Sequence, residues 1–121
     1  MENKIYDLKK RTYIYALEVI KFLESLSKDY ISQTIGRQLL RSATSIGANV
    51  VEAQASSSKK DFANFYSHSL KSANESKFWL GLLKDSGKVS SDKVVPVLNE
   101  TNELSNILAS SILTMKGKKR F

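Results

Sequence analysis

Residues 33–55 decide the fold, and they read QTIGRQLLRSATSIGANVVEAQA. Their apolar side chains recur every three or four residues, at Ile35, Leu39, Ala43, Ile46, Val50 and Ala53. That interval matches the 3.6-residue turn of an α-helix and does not fit the two-residue repeat of a strand. The stretch therefore predicts an amphipathic helix that buries one face against the rest of the molecule.

Three further segments have the same periodicity. We expect helices over residues 7–26, 59–85 and 91–115, in addition to the helix over 33–55. Four helices of similar length joined by short connections form an antiparallel up-down-up-down bundle. The sequence thus predicts an all-α fold, with the bundle spanning residues 1–115.

Residues with special backbone preferences mark the ends of these segments. Ser58 offers a hydroxyl that can cap the start of the third helix. Gly87 suits the left-handed residue that commonly follows a helix. Pro96 falls in or near the first turn of the fourth helix, where the missing N–H group costs little.

The composition excludes several classes of protein. The chain has 121 residues, which suits one domain. It has no cysteine and a single histidine, His68, so a disulfide scaffold, a thiolate zinc site, an iron–sulfur site and a multi-histidine metal site are excluded. Five glycines and one proline are too few for the turns of an all-β fold. We expect neither a metal nor another cofactor.

The chain shows no membrane or secretion signal. It contains no run of 18 apolar residues, and no apolar segment of the kind found in signal peptides follows its first residues. We therefore expect a cytoplasmic protein that does not contact the membrane.

The residues also argue against an enzyme. His68 and Glu75 are nearly two helical turns apart, and no complete catalytic constellation surrounds them. No glycine-rich phosphate loop is present. The Glu-x-x-His pattern of di-iron bundles is absent, because Ala55 follows Glu52 and Phe78 follows Glu75 at that spacing. We expect a protein that acts by binding.

The charge balance suggests a nucleic-acid partner. The chain has 19 Lys and Arg against 12 Asp and Glu, a formal net charge of +7. Four of these charges lie in the segment 116–121, which we interpret as a basic C-terminal tail. No base-reading module is present, so binding to RNA or DNA would involve the phosphates and have low sequence specificity. The candidate phosphate contacts are Arg37, Arg41, Lys59, Lys60, Lys116, Lys118, Lys119 and Arg120, with Lys9, Lys10 and Arg11 as further candidates.

A polar row runs along the second helix, opposite its apolar stripe. It consists of Arg37, Arg41, Ser45, Asn49 and Glu52. Two arginines one turn apart can bind successive phosphates, Asn49 and Glu52 can tie the arginines into a hydrogen-bond network, or the row can be an ordinary solvated face. All three interpretations fit the spacing.

Small residues cluster beside this row, among them Gly47. Because glycine costs a helix about 1 kcal/mol relative to alanine, Gly47 suggests close approach by another backbone or a partner.

Apolar residues exceed what one bundle core can use. A second apolar row follows the first helix at Tyr13, Leu17, Ile20 and Leu23. Phe78 and Leu82 lie opposite the core face of the third helix, and Trp79 lies at its flank. Helices with broad apolar coverage commonly serve an interface as well as a core. We therefore expect a homo-oligomer, and the same surface could instead dock a partner protein.

The stretch Arg41–Ala53, RSATSIGANVVEA, resembles the signature of a four-helix-bundle protein family encoded in intervening sequences of bacterial 23S ribosomal RNA genes. Lys60-Asp61-Phe62 and Phe78-Trp79-Leu80 are similar to the third helix of that family. The resemblance extends from about Leu8 to Met115. It marks six positions as signature or interface residues: Ser45, Asn49, Glu52, Phe78, Trp79 and Leu82.

The resemblance implies an antiparallel four-helix bundle that assembles into a homo-oligomeric ring, a pentamer. It also implies kinship with the accessory variability protein of diversity-generating retroelements, a basic pentameric bundle that binds a reverse transcriptase and nucleic acid. The implied partners are therefore further copies of the chain, RNA or DNA, and a polymerase or reverse transcriptase. The resemblance implies no catalytic activity.

Overall fold

The computed structural model describes the backbone of residues 4–120 and the side chains of residues 8–117. Four helices account for most of it: α1 Lys4–Glu24, α2 Tyr30–Gln54, α3 Lys59–Asp85 and α4 Ser91–Arg120. No strand occurs in the described part of the chain. The predicted all-α fold with four helices is confirmed.

Contacts between α2 and α3 show that these helices run antiparallel. Ser42 lies 2.8 Å from Ser76, and Ser45 lies 3.0 Å from Ser72, measured between hydroxyl oxygens. The position on α3 therefore falls as the position on α2 rises. Each helix also packs against the one before it in the chain, and α4 packs against α1. The four helices enclose one core.

Capping residues explain where the helices start. The carboxylate of Asp29 accepts a hydrogen bond from the Ser32 N–H at 2.9 Å, so α2 begins at Tyr30, three residues before the predicted start. This bond, with those from neighbouring serine hydroxyls, holds the pKa of the Asp29 carboxyl well below its ordinary value. Ser58 accepts from the Asp61 N–H at 3.1 Å and caps α3, as predicted. Gly87 has φ +77°, also as predicted.

The end of α4 differs from the prediction. The helix does not stop near Met115 but continues through Gly117 to Arg120. A single glycine weakens a helix without breaking it, and cationic residues near a helix C-terminus favour the helix because they oppose its dipole. The backbone of the predicted tail, residues 116–121, is therefore largely a continuation of α4.

The core consists of the apolar stripes that the periodicity predicts. One row of α1, containing Leu8, Tyr15 and Val19, is buried against the stripes of the other three helices. Buried residues of α2 and α3 include Leu39, Ala43, Ile46, Val50, Tyr66, Ala73, Leu80 and Leu83. Three members of the second apolar row of α1 stay outside, whereas Leu23 packs against the core: Tyr13 is 67% exposed, and Leu17 and Ile20 are also exposed.

Candidate nucleic-acid interface

Arg41 is tied into the bundle. Its guanidinium pairs with the carboxylate of Glu75 on α3, and one of its nitrogens lies 3.2 Å from the Gln38 side-chain oxygen. The indole N–H of Trp79 donates to the same Glu75 carboxylate at 2.9 Å. Arg41 remains 60% exposed, so it can still contact a ligand, but part of its charge is compensated.

Ser45 and Asn49 of the polar row serve contacts within the chain. The Asn49 amide donates to the Ser45 carbonyl at 2.8 Å and to the Ser45 hydroxyl at 3.0 Å. The Ser72 hydroxyl of α3 donates to that same Ser45 hydroxyl. Asn49 thus stabilises the α2–α3 contact rather than bonding to either arginine. Glu52 is exposed on the same face.

A second close contact joins α1 to α2 at Gly47. A Cβ atom at this position would lie 3.1 Å from the Thr12 hydroxyl oxygen and 3.3 Å from the Thr12 Cβ. The predicted close approach is confirmed, and its partner is α1 of the same chain. The small residues between Arg41 and Asn49 therefore allow α2 to pack tightly against two neighbouring helices.

Three of the candidate lysines meet at one groove. Lys59 and Lys60 in the first turn of α3 lie across from Lys116 near the end of α4. The groove between them has a volume of about 550 Å³, and Phe62, Ile112 and Met115 form its apolar floor. Antiparallel packing explains this arrangement, because α3 starts at the end of the bundle where α4 finishes.

A second groove lies between α1 and α2, on the opposite side of the bundle from the α3–α4 groove. Its volume is about 600 Å³, its lining is mainly apolar, and Lys9 and Lys10 stand at its edge. Arg11 differs from these lysines. Its guanidinium binds both oxygens of Glu100 on α4, at 2.7 and 2.9 Å, and these bonds raise the pKa of Arg11. Arg11 is therefore a structural cation and not a free candidate for binding phosphate.

The remaining candidates lie elsewhere. Arg37 and Arg41 sit in the other half of the bundle, since the partner of Arg41, Glu75, is about 22 Å along α3 from Lys60 at 1.5 Å per residue. The structure does not bring the arginines together with the lysines. The side chains of Lys118, Lys119 and Arg120 lie outside the described residues.

The charges divide unevenly between the two halves of the bundle. Because Tyr15 on α1 contacts Thr101 on α4, one half comprises residues 8–14, 42–72 and 101–117, which carry seven Lys or Arg and three Asp or Glu, a formal +4. The other half comprises residues 15–41 and 73–100, which carry eight Lys or Arg and seven Asp or Glu, a formal +1. We call the first half the basic half. It contains both grooves.

Exposed apolar residues flank α2 on both sides. On α3, Phe78 is 58% exposed and Leu82 is also exposed, while Trp79 is half-buried and meets the Phe78 ring edge-on at 5.0 Å. On α1, Tyr13 and Leu17 form the other patch. The two patches consist of different residues, so they are not copies of one surface.

Potential metal ligands are scattered among the described side chains. No group of three or more histidine or carboxylate residues there could hold a metal ion. His68 is exposed on α3. None of the described helices combines the length and the apolar character that crossing a membrane requires.

Comparisons with known proteins agree with the fold. A model of the family described as 23S rRNA-intervening sequence protein matches residues 4–110. The chain is 34% identical to a solved structure from Bacteroides thetaiotaomicron, described as a protein with unknown function from the S23 ribosomal protein family. That similarity covers 86% of this chain and 96% of the other, with a TM-score of 0.78. No curated protein matches the chain.

Proposed function

Because the chain belongs to the 23S rRNA-intervening sequence protein family, we propose that it is a non-enzymatic helical-bundle protein that binds the RNA or DNA backbone through its basic half, with low sequence specificity. The family membership gives the fold but not the ligand. We infer the ligand from the charges on the surface of the chain. The proposal assumes the cytoplasmic location expected from the sequence.

The distribution of charge is the observation that carries this proposal. Net positive charge concentrated in one half of the molecule attracts a polyanion to that half, whereas the same charge spread evenly would favour no orientation. The half opposite carries a formal charge of only +1 among its described side chains. Lysines bind phosphates mainly as point charges, which explains why we expect little sequence preference.

Assembly would strengthen the binding. In the pentamer that the family resemblance implies, five copies of a chain with charge +7 would carry a formal +35. Linked binding sites raise the overall affinity well above that of one site. The exposed patches on either side of α2 support such assembly, because a ring needs two different surfaces that fit each other.

A titration of labelled RNA and DNA tests the proposal by fluorescence anisotropy. We expect binding at about 50 mM salt that weakens steeply by about 200 mM, as counterion release requires. Lys59→Glu with Lys60→Glu should weaken binding strongly. Lys28→Glu with Lys93→Glu changes the net charge equally in the other half and should weaken it far less. Absence of binding at the lower salt, or equal losses for both pairs, would refute the proposal.

The alternative function is a protein-interaction scaffold that docks a polymerase or reverse transcriptase. The observation favouring it is the exposure of Phe78 and Leu82 on α3. Size-exclusion chromatography with light scattering separates self-assembly from this alternative. If Phe78→Ser converts an oligomer into a monomer, the patch serves assembly. If the protein is a monomer before the substitution, the patch is free for another protein.

A further inference from the structure

The groove between α3 and α4 has features that a surface contacting only the phosphates of a nucleic acid would not need. Its floor is apolar, with Phe62, Ala63, Ile112 and Met115, whereas Lys59, Lys60 and Lys116 lie along it. Asn64 and Ser67 complete the lining and supply an amide and a hydroxyl group. The site therefore has an apolar floor, hydrogen-bonding groups and a cationic margin.

The positive charge of the groove is uncompensated within the described part of the chain. None of the three lysines forms an ion pair with a described residue, and no carboxylate lines the groove. This distinguishes them from Arg11 and Arg41, which pair with Glu100 and Glu75. An anionic group at the margin would meet three cations without displacing an internal partner.

The aromatic residue in the floor is held in place before any ligand arrives. Phe62 stacks on Tyr66 with ring centroids 4.6 Å apart and an interplanar angle of 28°. Tyr66 is buried in the core, so its stacking contact restricts the motion of the Phe62 ring. An immobilised ring loses little entropy when a second flat group stacks on it or against its edge.

We propose that the α3–α4 groove binds single-stranded nucleic acid by seating a base on its apolar floor while Lys59, Lys60 and Lys116 bind the adjacent phosphates. The inference rests on the proposed function and specifies its site and its ligand. A nucleobase is planar and carries donors and acceptors at its edge, which matches the floor and the groups of Asn64 and Ser67. A duplex keeps its bases stacked inside and cannot enter. Positively charged grooves with stacking platforms are the common means of binding single strands.

The volume agrees with this occupant. A groove of about 550 Å³ falls within the range of roughly 300–1,000 Å³ found for small-molecule sites, which accommodates one nucleotide. The start of α3 adds a modest attraction for phosphate, because the helix dipole and its free N–H groups favour anions there.

The test compares four probes by fluorescence anisotropy at one salt concentration. They are a 12-nucleotide uridine RNA, the matching DNA strand, the RNA annealed to its complement, and a strand of the same length that lacks bases. We expect both intact single strands to bind more tightly than the duplex and the abasic strand. Stacking of one base is worth about 1–3 kcal/mol, which corresponds to a ratio of about 5- to 150-fold. The affinities for the RNA and DNA strands should differ only if the protein contacts the 2′-hydroxyl group.

Substitutions in the groove test whether the preference for strands with bases arises there. Phe62→Ala should reduce binding of the intact strands toward that of the abasic strand and leave the abasic strand unchanged. Ala63→Leu fills the groove without removing a core side chain, so it should act in the same way even if Phe62→Ala destabilises the protein. Leu113→Ala is the matched control, because Leu113 lies on α4, is 68% exposed and does not line the groove. It should bind all four probes as the unmodified protein does.

The outcomes separate the two proposals. If the lysine variants weaken binding but Phe62→Ala and Ala63→Leu do not, the proposed function stands and the base-binding groove is wrong. If the duplex or the abasic strand binds as tightly as the intact strands, the groove proposal is also wrong. If an acidic peptide of equal charge competes as well as the RNA, the site recognises charge alone and the groove proposal is again wrong. If no probe binds, both proposals fail.

Discussion

At the scale of single residues, Tyr15 shows how a polar group is accommodated in the core. Its ring is buried and its hydroxyl lies 2.6 Å from the Thr101 hydroxyl oxygen. Thr101 in turn donates to the Val97 carbonyl at 2.7 Å. Burial disfavours the charged phenolate and raises the pKa of Tyr15 to about 12.

This shift makes stability depend on alkaline pH. The unfolded chain has a tyrosine pKa of about 10, so the contribution of Tyr15 is fully present below pH 10 and is lost as the pH rises toward 12. Tyr15→Phe should cost about 1 kcal/mol at pH 7 through the lost hydrogen bond, and less at pH 11. Urea unfolding at both values measures this. An equal cost at both pH values would contradict the assignment.

The Glu75 carboxylate pairs with the Arg41 guanidinium and accepts a hydrogen bond from the indole N–H of Trp79. Trp79 is the only tryptophan in the chain, so its fluorescence reports on this contact. We expect Glu75→Ala to change the Trp79 fluorescence, because the indole N–H loses its acceptor. Glu52→Ala, on an exposed site, is the control and should leave the spectrum unchanged. Since Arg41 is largely exposed, the ion pair should add less than about 1 kcal/mol to stability. An unchanged spectrum in Glu75→Ala would show that the hydrogen bond is absent in solution.

At the scale of helices, periodicity predicts which segments are helical and which face is buried, because the spacing of apolar residues can be read directly from the sequence. The boundaries are less predictable. The start of α2 depends on the Asp29 cap, a hydrogen bond over three residues that the apolar periodicity does not reveal. The end of α4 depends on the balance between the cost of Gly117 and the favourable charges beyond it, and the sequence does not show which is larger.

Two helical glycines with different surroundings allow a matched comparison. A Cβ at Gly81 would meet nothing within 4 Å, so Gly81→Ala should stabilise the protein by about 0.4–1 kcal/mol through helix propensity. At Gly47 the added methyl group meets the Thr12 side chain, which must move by a few tenths of an ångström to accommodate it. We expect Gly47→Ala to gain nothing or to destabilise. Thermal unfolding of both variants decides this, and equal gains would mean that the contact between α1 and α2 is loose.

At the scale of the whole molecule, the sequence identifies the lysines but not the site they form. Lys60 and Lys116 are 56 positions apart, and only the antiparallel packing of α3 on α4 places them at one groove. The sequence also groups Arg37 and Arg41 with these lysines, because charge is the only criterion it offers. Distance along the bundle separates them. Periodicity places Phe62 and Met115 on core faces, and their second role in the groove floor depends on how the helix ends pack.

Removing residues 116–121 tests the contribution of the end of α4. The deletion takes away four cations, so RNA affinity should fall and the salt dependence should become less steep. For a single strand, the slope of log affinity against log salt changes by about 0.7 for each phosphate that is no longer neutralised, which sets a limit of about 3 for four cations. Titrations at several salt concentrations measure the slope. An unchanged slope would place the phosphate contacts outside residues 116–121 and would contradict the role proposed for Lys116.

An even number of alternating helices returns the chain to the end of the bundle where it began. The start of α1 and the end of α4 therefore both lie at the basic half, next to the two grooves. An affinity tag or a fluorescent fusion at either terminus would stand beside the surface that we propose binds nucleic acid, and a polyhistidine tag could compete with its lysines for phosphate. The turn between α3 and α4, residues 86–90, faces the opposite direction and is the place for a label that leaves the surface free.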